Sequence, residues 1–426
     1  MVQLARAVAL GGALAGAARP AQAQAPALSL DAARVGARRI SPDLRAMREA
    51  VSAAAARERQ AGAFSNPTLV YGREQAAAAG QTSSQGIVAL EQRVEIGGQR
   101  GQRRQAAGLR REAAEARLAA AELQLDFEVT RAYALAVAAD RRAALAAEAA
   151  GAFGQALTVS EQRLAAGDIS GYAHRRLRLE AARYATLNAE AALTRHAARL
   201  SLATLLAGTA DSIDRADWVL TDSLVPPAFA VAADSLRPLA LRARADLRAA
   251  DLERQAAAVE ARLTARERVP TPSVVAGFKR ERGTGGSDLS GFTAGISFPL
   301  SLFDRRGGAI DAAGAEVARR AAETDALRRR VARDVAEAYA ALQTVEQQLA
   351  LLTPQLGAEA RAALEAARVA YAEGEITLVE WLDAVRAYRE AEASYETLRA
   401  EAVIQRAALE RAVGVPRLTS SPAGRN

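Results

Sequence analysis

The side chains best suited to bind metals or act as nucleophiles are almost missing from this chain. It has no cysteine, its only histidines are His174 and His196, and its only methionines are Met1 and Met47. Thiol catalysis, zinc or iron–sulfur ligation and disulfides are thereby excluded. The two histidines lie 22 residues apart on one expected helix, about 33 Å along its axis, so they cannot share an ion within one chain. A chelating metal site would need His, Cys or Met clusters; no metal site and no cofactor is expected. There is no P-loop, nucleophile elbow, HExxH or dinucleotide fingerprint. The glycine-rich GTGGS at 283–287 falls in an expected loop between strands, not before a helix. The chain is not expected to be an enzyme.

Acids, by contrast, stand at informative places. AAGDIS at 165–170 and AEGEIT at 372–377 put Gly167 with Asp168, and Gly374 with Glu373 and Glu375, at two tight turns between long helical stretches. Glycine supplies the backbone freedom a reversal needs. In a trimer each acid would become a ring of three, and carboxylate rings at a narrowing attract cations and repel anions. Equally, acids favour the first turn of a helix and could simply flank helix ends in solvent. Both readings stand at this stage.

The elements that position these turns are written twice. VEIGGQRGQRRQAAG at 94–108 matches LSLFDRRGGAIDAAG at 300–314, so that Gly101 meets Gly307 at an offset of 206. NPTLVYG at 66–72 matches TPSVVAG at 271–277, DLRA recurs at 43–46 and 246–249, and Gly208 and Gly414 close the two halves. Low-complexity alanine could produce some of these matches but not the Gly, Pro and strand matches. Each half reads as a helix (41–63; 235–268), two extended segments around a polar loop, then a very long helix, a turn and another long helix. No proline occurs between Pro67 and Pro226, so a helix could run from Gly98 to Ala166, about 100 Å. Such length implies coiled-coil packing. Pro354 should break or kink the matching run in the second half.

Composition agrees. Half of the 426 residues are nominally hydrophobic but only 4% are aromatic. Alanine dominates, which suits thin helix-on-helix walls better than a thick core. A mean hydropathy of −0.06, with no long apolar run beyond the N-terminus, excludes a helical membrane protein. The net charge is +7, Lys279 is the only lysine, and arginines alternate with acids as on solvated helix faces. No nucleic-acid partner is expected.

The extended segments alternate with period two. Val88, Leu90, Val94 and Ile96 are apolar, as are Phe292, Ala294, Ile296, Phe298, Leu300 and Leu302, with mostly polar or small residues between. That is a strand pattern: either hairpins capping a bundle, or a barrel wall with lipid outside and water inside. Four strands cannot close a barrel, and open edges are not tolerated in a bilayer. Membrane insertion would force oligomerisation, and three chains would supply twelve strands, a plausible channel size. Residues 1–25 read as a secretory signal peptide, with Arg6, an apolar stretch over 7–18, and small-x-small cleavage sites ending at Ala23 or Ala25. Cleavage would lower the charge from +7 to +5 by removing Arg6 and Arg19.

At this point AGAFSNPTLVYG, VEIGGQRGQRRQAA, FPLSLFDRRGGAIDAAGAEV, the stretch LTPQLGAEARAALEAARVAYAEGEITLVEWLDAVRAY and the closing AALERAVG resemble the TolC-type outer-membrane efflux proteins over about residues 40–415. The VEIGGQRG and PLSLFDRRGG pieces look most like the heavy-metal-cation branch. The resemblance implies a mainly α fold with a small β part. Duplicated helical hairpins would form a homotrimeric periplasmic α-barrel, topped by a 12-stranded outer-membrane β-barrel with four strands per protomer. It implies residence in the outer membrane of a Gram-negative cell, in contact with its lipid. The partners would be a periplasmic adaptor and an inner-membrane pump, and the role a passive exit duct, with metal cations as cargo. Drug or solvent efflux, type I secretion and a pore-less coiled-coil scaffold are the alternatives.

On this reading the chain divides into a signal peptide (1–25), a first repeat (26–208), a connector (209–234), a second repeat (235–414) and a tail (415–426). The loops near 75–86 and 281–290 would face outside the cell. The turns would lie at the periplasmic tip, with Gly167, Asp168, Glu373, Gly374 and Glu375 as aperture candidates. Arg163, Leu164, Arg368 and Val369 would be adaptor contacts. Trp218 and Trp381 could anchor at an interface, but Trp381 lies near the tip, where packing between helices is expected.

Overall fold

The structure, a computed structural model, describes residues 26–418 apart from 79–80, 208–217, 225–231, 283–287, 301 and 353. The signal peptide at 1–25, much of the connector and most of the tail therefore lie outside the described residues.

The first half runs β1 (Ala27–Leu28), α1 (Leu30–Ile40), α2 (Pro42–Ala61), β2 (Thr68–Ala78), β3 (Gln81–Arg93), α3 (Gln99–Ala166) and α4 (Gly171–Leu206). The second runs β4 (Val219–Leu220), α5 (Ala233–Ala243), α6 (Ala245–Arg266), β5 (Ser273–Arg282), β6 (Asp288–Ser297), α7 (Gly307–Leu351), α8 (Pro354–Glu373) and α9 (Leu378–Val413). Helix α3 has 68 residues without interruption, about 100 Å of shaft. The helix expected at Pro354 to be broken or kinked is broken: α7 stops at Leu351 and Pro354 is the first residue of α8, where a missing N–H costs nothing.

Two expectations need correction. The opening helix expected over 41–63 is found as α2, with a further helix α1 before it, whereas the one expected over 235–268 is a pair, α5 and α6. Ser41 sits extended (φ −52°, ψ 121°) between α1 and α2, and its side chain accepts a hydrogen bond from the Leu44 amide. Proline at the next position disfavours a helical conformation there. Arg244 makes the same break between α5 and α6 (φ −65°, ψ 117°). The strands are also displaced. They pair through the polar stretches expected to be loops, up to Ala78 with Gln81 and Arg282 with Asp288, but end at Arg93 and Ser297. Backbone pairing does not need apolar side chains, so Gln75 or Ser84 can extend a ladder. At the other end β5 is preceded by Pro270 and Pro272, which cannot donate to a ladder; only the Pro272 carbonyl continues it, accepting from Val94 N at 2.8 Å. Val94, Ile96, Phe298, Leu300 and Leu302 thus fall beyond the strands.

The four long strands form one antiparallel sheet in the order β2-β3-β5-β6. Helix packing supplies the rest in three apolar clusters: α1, α3 and α4 with α9 around Tyr133; α5, α7 and α9 around Leu342; and the shaft's far end around Phe153. A small parallel pair, β1 with β4, brings the connector back to the start of the chain. There the Tyr133 hydroxyl donates to Leu28 O at 2.8 Å and accepts from Asp222 N at 3.2 Å, while Asp222 Oδ2 accepts from Leu30 N at 2.6 Å. This knot, built on the buried Tyr133, ties both halves midway along the shaft.

Candidate functional site

The sheet has two unlike faces. Reading across the register, Leu69–Leu90–Ala276–Ala294 and Tyr71–Val88–Phe278–Phe292 form apolar rows on one face. Phe278 and Phe292 meet edge to face at 5.9 Å, yet Phe292 is 94% exposed. The opposite face is mixed: Thr68, Gly72, Gly277, Gly291 and Thr293, with Glu74, Glu91 and Glu281 against Arg93 and Lys279, stand among Val70, Ile87, Val275 and Leu289. An apolar face left open to solvent is anomalous for a soluble sheet and ordinary for one that meets lipid. Among the described residues β2 and β6 each pair on one side only, so the sheet as described ends in two free edges.

At the far end of the shaft the two turns are built alike. Gly167 has φ 81° and Gly374 φ 82°. Asp168 N donates to Arg163 O at 2.8 Å and Gly167 N to Leu164 O at 3.1 Å; Glu375 N donates to Ala370 O at 2.8 Å and Gly374 N to Tyr371 O at 3.2 Å. This is the six-to-one, five-to-two closure that needs a left-handed residue. The next helices are capped by Ser170, accepting from Ala173 N at 3.1 Å, and by Thr377 in a reciprocal box with Glu380. Serine and threonine therefore do the capping. Asp168, Glu373 and Glu375 are exposed and make no ion pair among the described residues. Leu164 and Val369 are also exposed, whereas Arg368 is bound to Glu365 at 2.6 Å.

An aromatic cluster holds the two turns at one end. Phe153 stacks on Tyr184 at 4.0 Å, Tyr371 on Trp381 at 5.2 Å, and Phe153 meets Trp381 at 5.4 Å. Trp381 is buried between helices, as expected from its place near the tip. Arg386 reaches Glu180 at 3.7 Å across the hairpins. Nothing in the spacing of these aromatics signals that they meet; only the offset of the two hairpins could have suggested it.

Higher up, Asp140 accepts from Arg195 at 2.8 Å and Arg199 at 2.7 Å, joining α3 to α4. Burial pushes its carboxyl up, but the two guanidiniums more than offset this and hold it below the usual range. Asp246 is lowered in the same way: burial opposes, and Arg244 prevails. His174 shares a 3.0 Å contact with Ser160 Oγ, and His196 lies exposed on the same helix. Among the described residues no three His, Cys, Asp or Glu side chains converge as a metal site would require. A cleft of about 710 Å³ runs between α3 and the second half and is lined by Arg244, Asp246, Asp334 and Arg411 among others. Within it Arg244 is paired with Asp246 at 2.7 Å and with Asp334 at 3.1 Å.

Residues 236–415 match the family described as Outer membrane efflux protein. The nickel-cobalt-cadmium resistance protein NccC of Alcaligenes xylosoxydans xylosoxydans is 30% identical over 293 residues, covering 67% of this chain and 64% of that relative. The chain thus spans just under two thirds of that relative's length. Among solved structures, the CmeC outer membrane channel of Campylobacter jejuni superposes with a TM-score of 0.76 at 15% identity, covering 90% of this chain and 85% of the channel. A membrane protein from Pseudomonas aeruginosa superposes with a TM-score of 0.74 at 22% identity, covering 90% of this chain and 93% of that one. At such identities the superpositions speak for the fold: helical shaft and sheet together.

Proposed function

We propose that this chain, a member of the outer membrane efflux protein family through residues 236–415, is the outer-membrane exit duct of a tripartite efflux assembly. The observation that carries this is the sheet: four strands, one face with open apolar rows, one mixed face with charged side chains, and two free edges, mounted on a helical shaft about 100 Å long. A bilayer forbids unpaired edges. Three copies joined β6 to β2 would remove them and close twelve strands around an aqueous lumen. Residues 1–25 would direct export, 26–208 and 235–414 would be the two repeats joined by 209–234, and 415–426 would be a tail.

The duct does no chemistry. Cargo enters at the tip, from a periplasmic adaptor and an inner-membrane pump that supply the energy. Asp168, Glu373 and Glu375, exposed beside Gly167 and Gly374, would ring the aperture. Arg163, Leu164, Arg368 and Val369, one turn back, would meet the adaptor. Metal cations are the proposed cargo. The relative's name points there, and three lumen-face carboxylates against two cationic side chains leave that wall net negative. Such a wall favours cations.

The test is conductance of the purified protein in planar bilayers, with its mass in detergent. A trimer with cation-selective conductance is expected, and Asp168→Ala, Glu373→Ala and Glu375→Ala together should lower that selectivity. A non-conducting monomer would refute the duct, and unchanged selectivity would remove the aperture role. Metal, drug and solvent tolerance of a deletion strain decides the cargo.

A further inference from the structure

On the apolar face of the sheet, the row above Tyr71–Val88–Phe278–Phe292 is Arg73–Gly86–Arg280–Ser290, and the next is Gln75–Ser84–Arg282–Asp288. The change from aromatic to arginine is abrupt, within two residues on β2 and on β5. These arginines share the lipid-facing side with the apolar rows, so in a membrane they stand at the outer boundary of the hydrocarbon. Arg280 and Arg282 are 62% and 67% exposed and divide one carboxylate between them, Asp288, at 2.7 and 2.9 Å. One positive charge is left over. Arg73 is exposed and makes no ion pair among the described residues.

Between Arg73 and Arg280 the intervening strand offers only Gly86, where an added Cβ would meet nothing within 4 Å. Strands two apart are separated by about 9.6 Å. The result is a side-chain-free notch with a guanidinium on either side, hydroxyl and amide groups of Ser84 and Gln75 above, and aromatic rings below. Guanidinium forks suit phosphate oxygens. The apolar rows directly beneath suit acyl chains, which a free anion does not have.

We infer that this notch holds the phosphate of an anionic membrane lipid, at the outer end of the barrel wall. The inference rests on the outer-membrane reading above, and adds to it a bound lipid headgroup and the residues that grip it. Arginine at this level is also where a charged side chain is tolerated on a barrel's lipid face.

The experiment uses the full chain reconstituted in vesicles of a neutral, phosphorus-free glycolipid alone, or of that glycolipid doped with lipopolysaccharide, with inorganic phosphate as a separate arm. Thermal stability and retained lipid phosphorus after repeated washing are read together. Wild-type protein should gain stability and keep phosphorus with lipopolysaccharide. The double variant Arg73→Gln, Arg280→Gln should lose at least tenfold in apparent affinity, and Gly86→Glu, which places a carboxylate in the notch, should do the same. Lys279→Gln, on the opposite face, should match wild type. Equal phosphorus retention by wild type and both notch variants would overturn the inference while leaving the duct intact, and so would equal stabilisation by inorganic phosphate. Failure of the wild type to enter any vesicle would overturn both.

Discussion

The two repeats use the same order of elements but build their shafts differently. In the first, α3 carries the chain to the tip as one helix of 68 residues. In the second the same path is taken by α7 with 45 residues and α8 with 20, separated at Pro354. The starts differ as well: the residue before α3 is Gly98 with φ 71°, the one before α7 is Arg306 with φ 57°. The turns do not differ, for both have a left-handed glycine and the same closing hydrogen bonds. Divergence has been tolerated where backbone groups can find partners along a helix or at its start. It has not touched the reversals, where only one conformation closes the helix and that conformation disfavours a side chain.

The largest break in this comparison should come from the tip cluster. Phe153 is fully buried, while Glu359, its counterpart at an offset of 206, is exposed. Phe153→Ala should cost about 3–5 kcal/mol in denaturant unfolding and Glu359→Ala under about 0.5 kcal/mol. Equal effects would mean that the hairpins contribute symmetrically.

Next is the proline. Transferring it to the first repeat, as Glu148→Pro, should cost roughly 3 kcal/mol by breaking α3. Pro354→Ala should change stability by less than about 1 kcal/mol, since the proline stands where a helix begins. Circular dichroism with thermal unfolding separates the two.

Glycines give a smaller contrast. At Gly414 (φ 87°) an added Cβ would come 2.8 Å from Arg244 Cα, whereas at Gly167 (φ 81°) it would meet open space. Gly167→Ala should therefore cost about 1–2 kcal/mol of strain and Gly414→Ala a further 1–3 kcal/mol of crowding.

The smallest effect is that of pH. Asp140 in the first repeat and Asp246 in the second both have lowered folded-state pKa values. Depressed carboxyls contribute stability that is present above their unfolded value of about 3.9 and lost as pH falls through the folded one. Stability should be flat from neutral pH down to about 4 and fall below it. Asp140→Asn should reduce that acid-side slope, and an unchanged slope would remove the α3–α4 tie from the account.

Much of this was legible. The offset of 206, the long proline-free run and the two glycine turns placed the shaft and tip almost to the residue, because helix periodicity and left-handed turns are local. The displaced strand ends were not legible. A strand stops where its partner stops, and here the partner's start is set by Pro270 and Pro272 on another segment. The start of α2 was legible at Ser41–Pro42, but nothing in the sequence marked the break at Arg244, which goes with ion pairs to Asp246 and Asp334. The free acids at the turns were ambiguous in the sequence; the structure shows that Ser170 and Thr377 cap instead.

The amino-acid order alone therefore settled the duplicated plan and the run of the long shaft helix α3 between its glycines. These depend on periodicity and residue type within a few turns of chain. Tertiary structure alone decided that Tyr133 and Asp222 tie the connector to the chain's start, and that Phe153 and Trp381 lock two hairpins over 200 residues apart. It also decided that β3 and β5 join the two halves in one sheet, which puts Arg73 and Arg280 on either side of Gly86. Those are pairings across long chain separations, and no local pattern specifies a register between segments that meet only when the whole chain has folded.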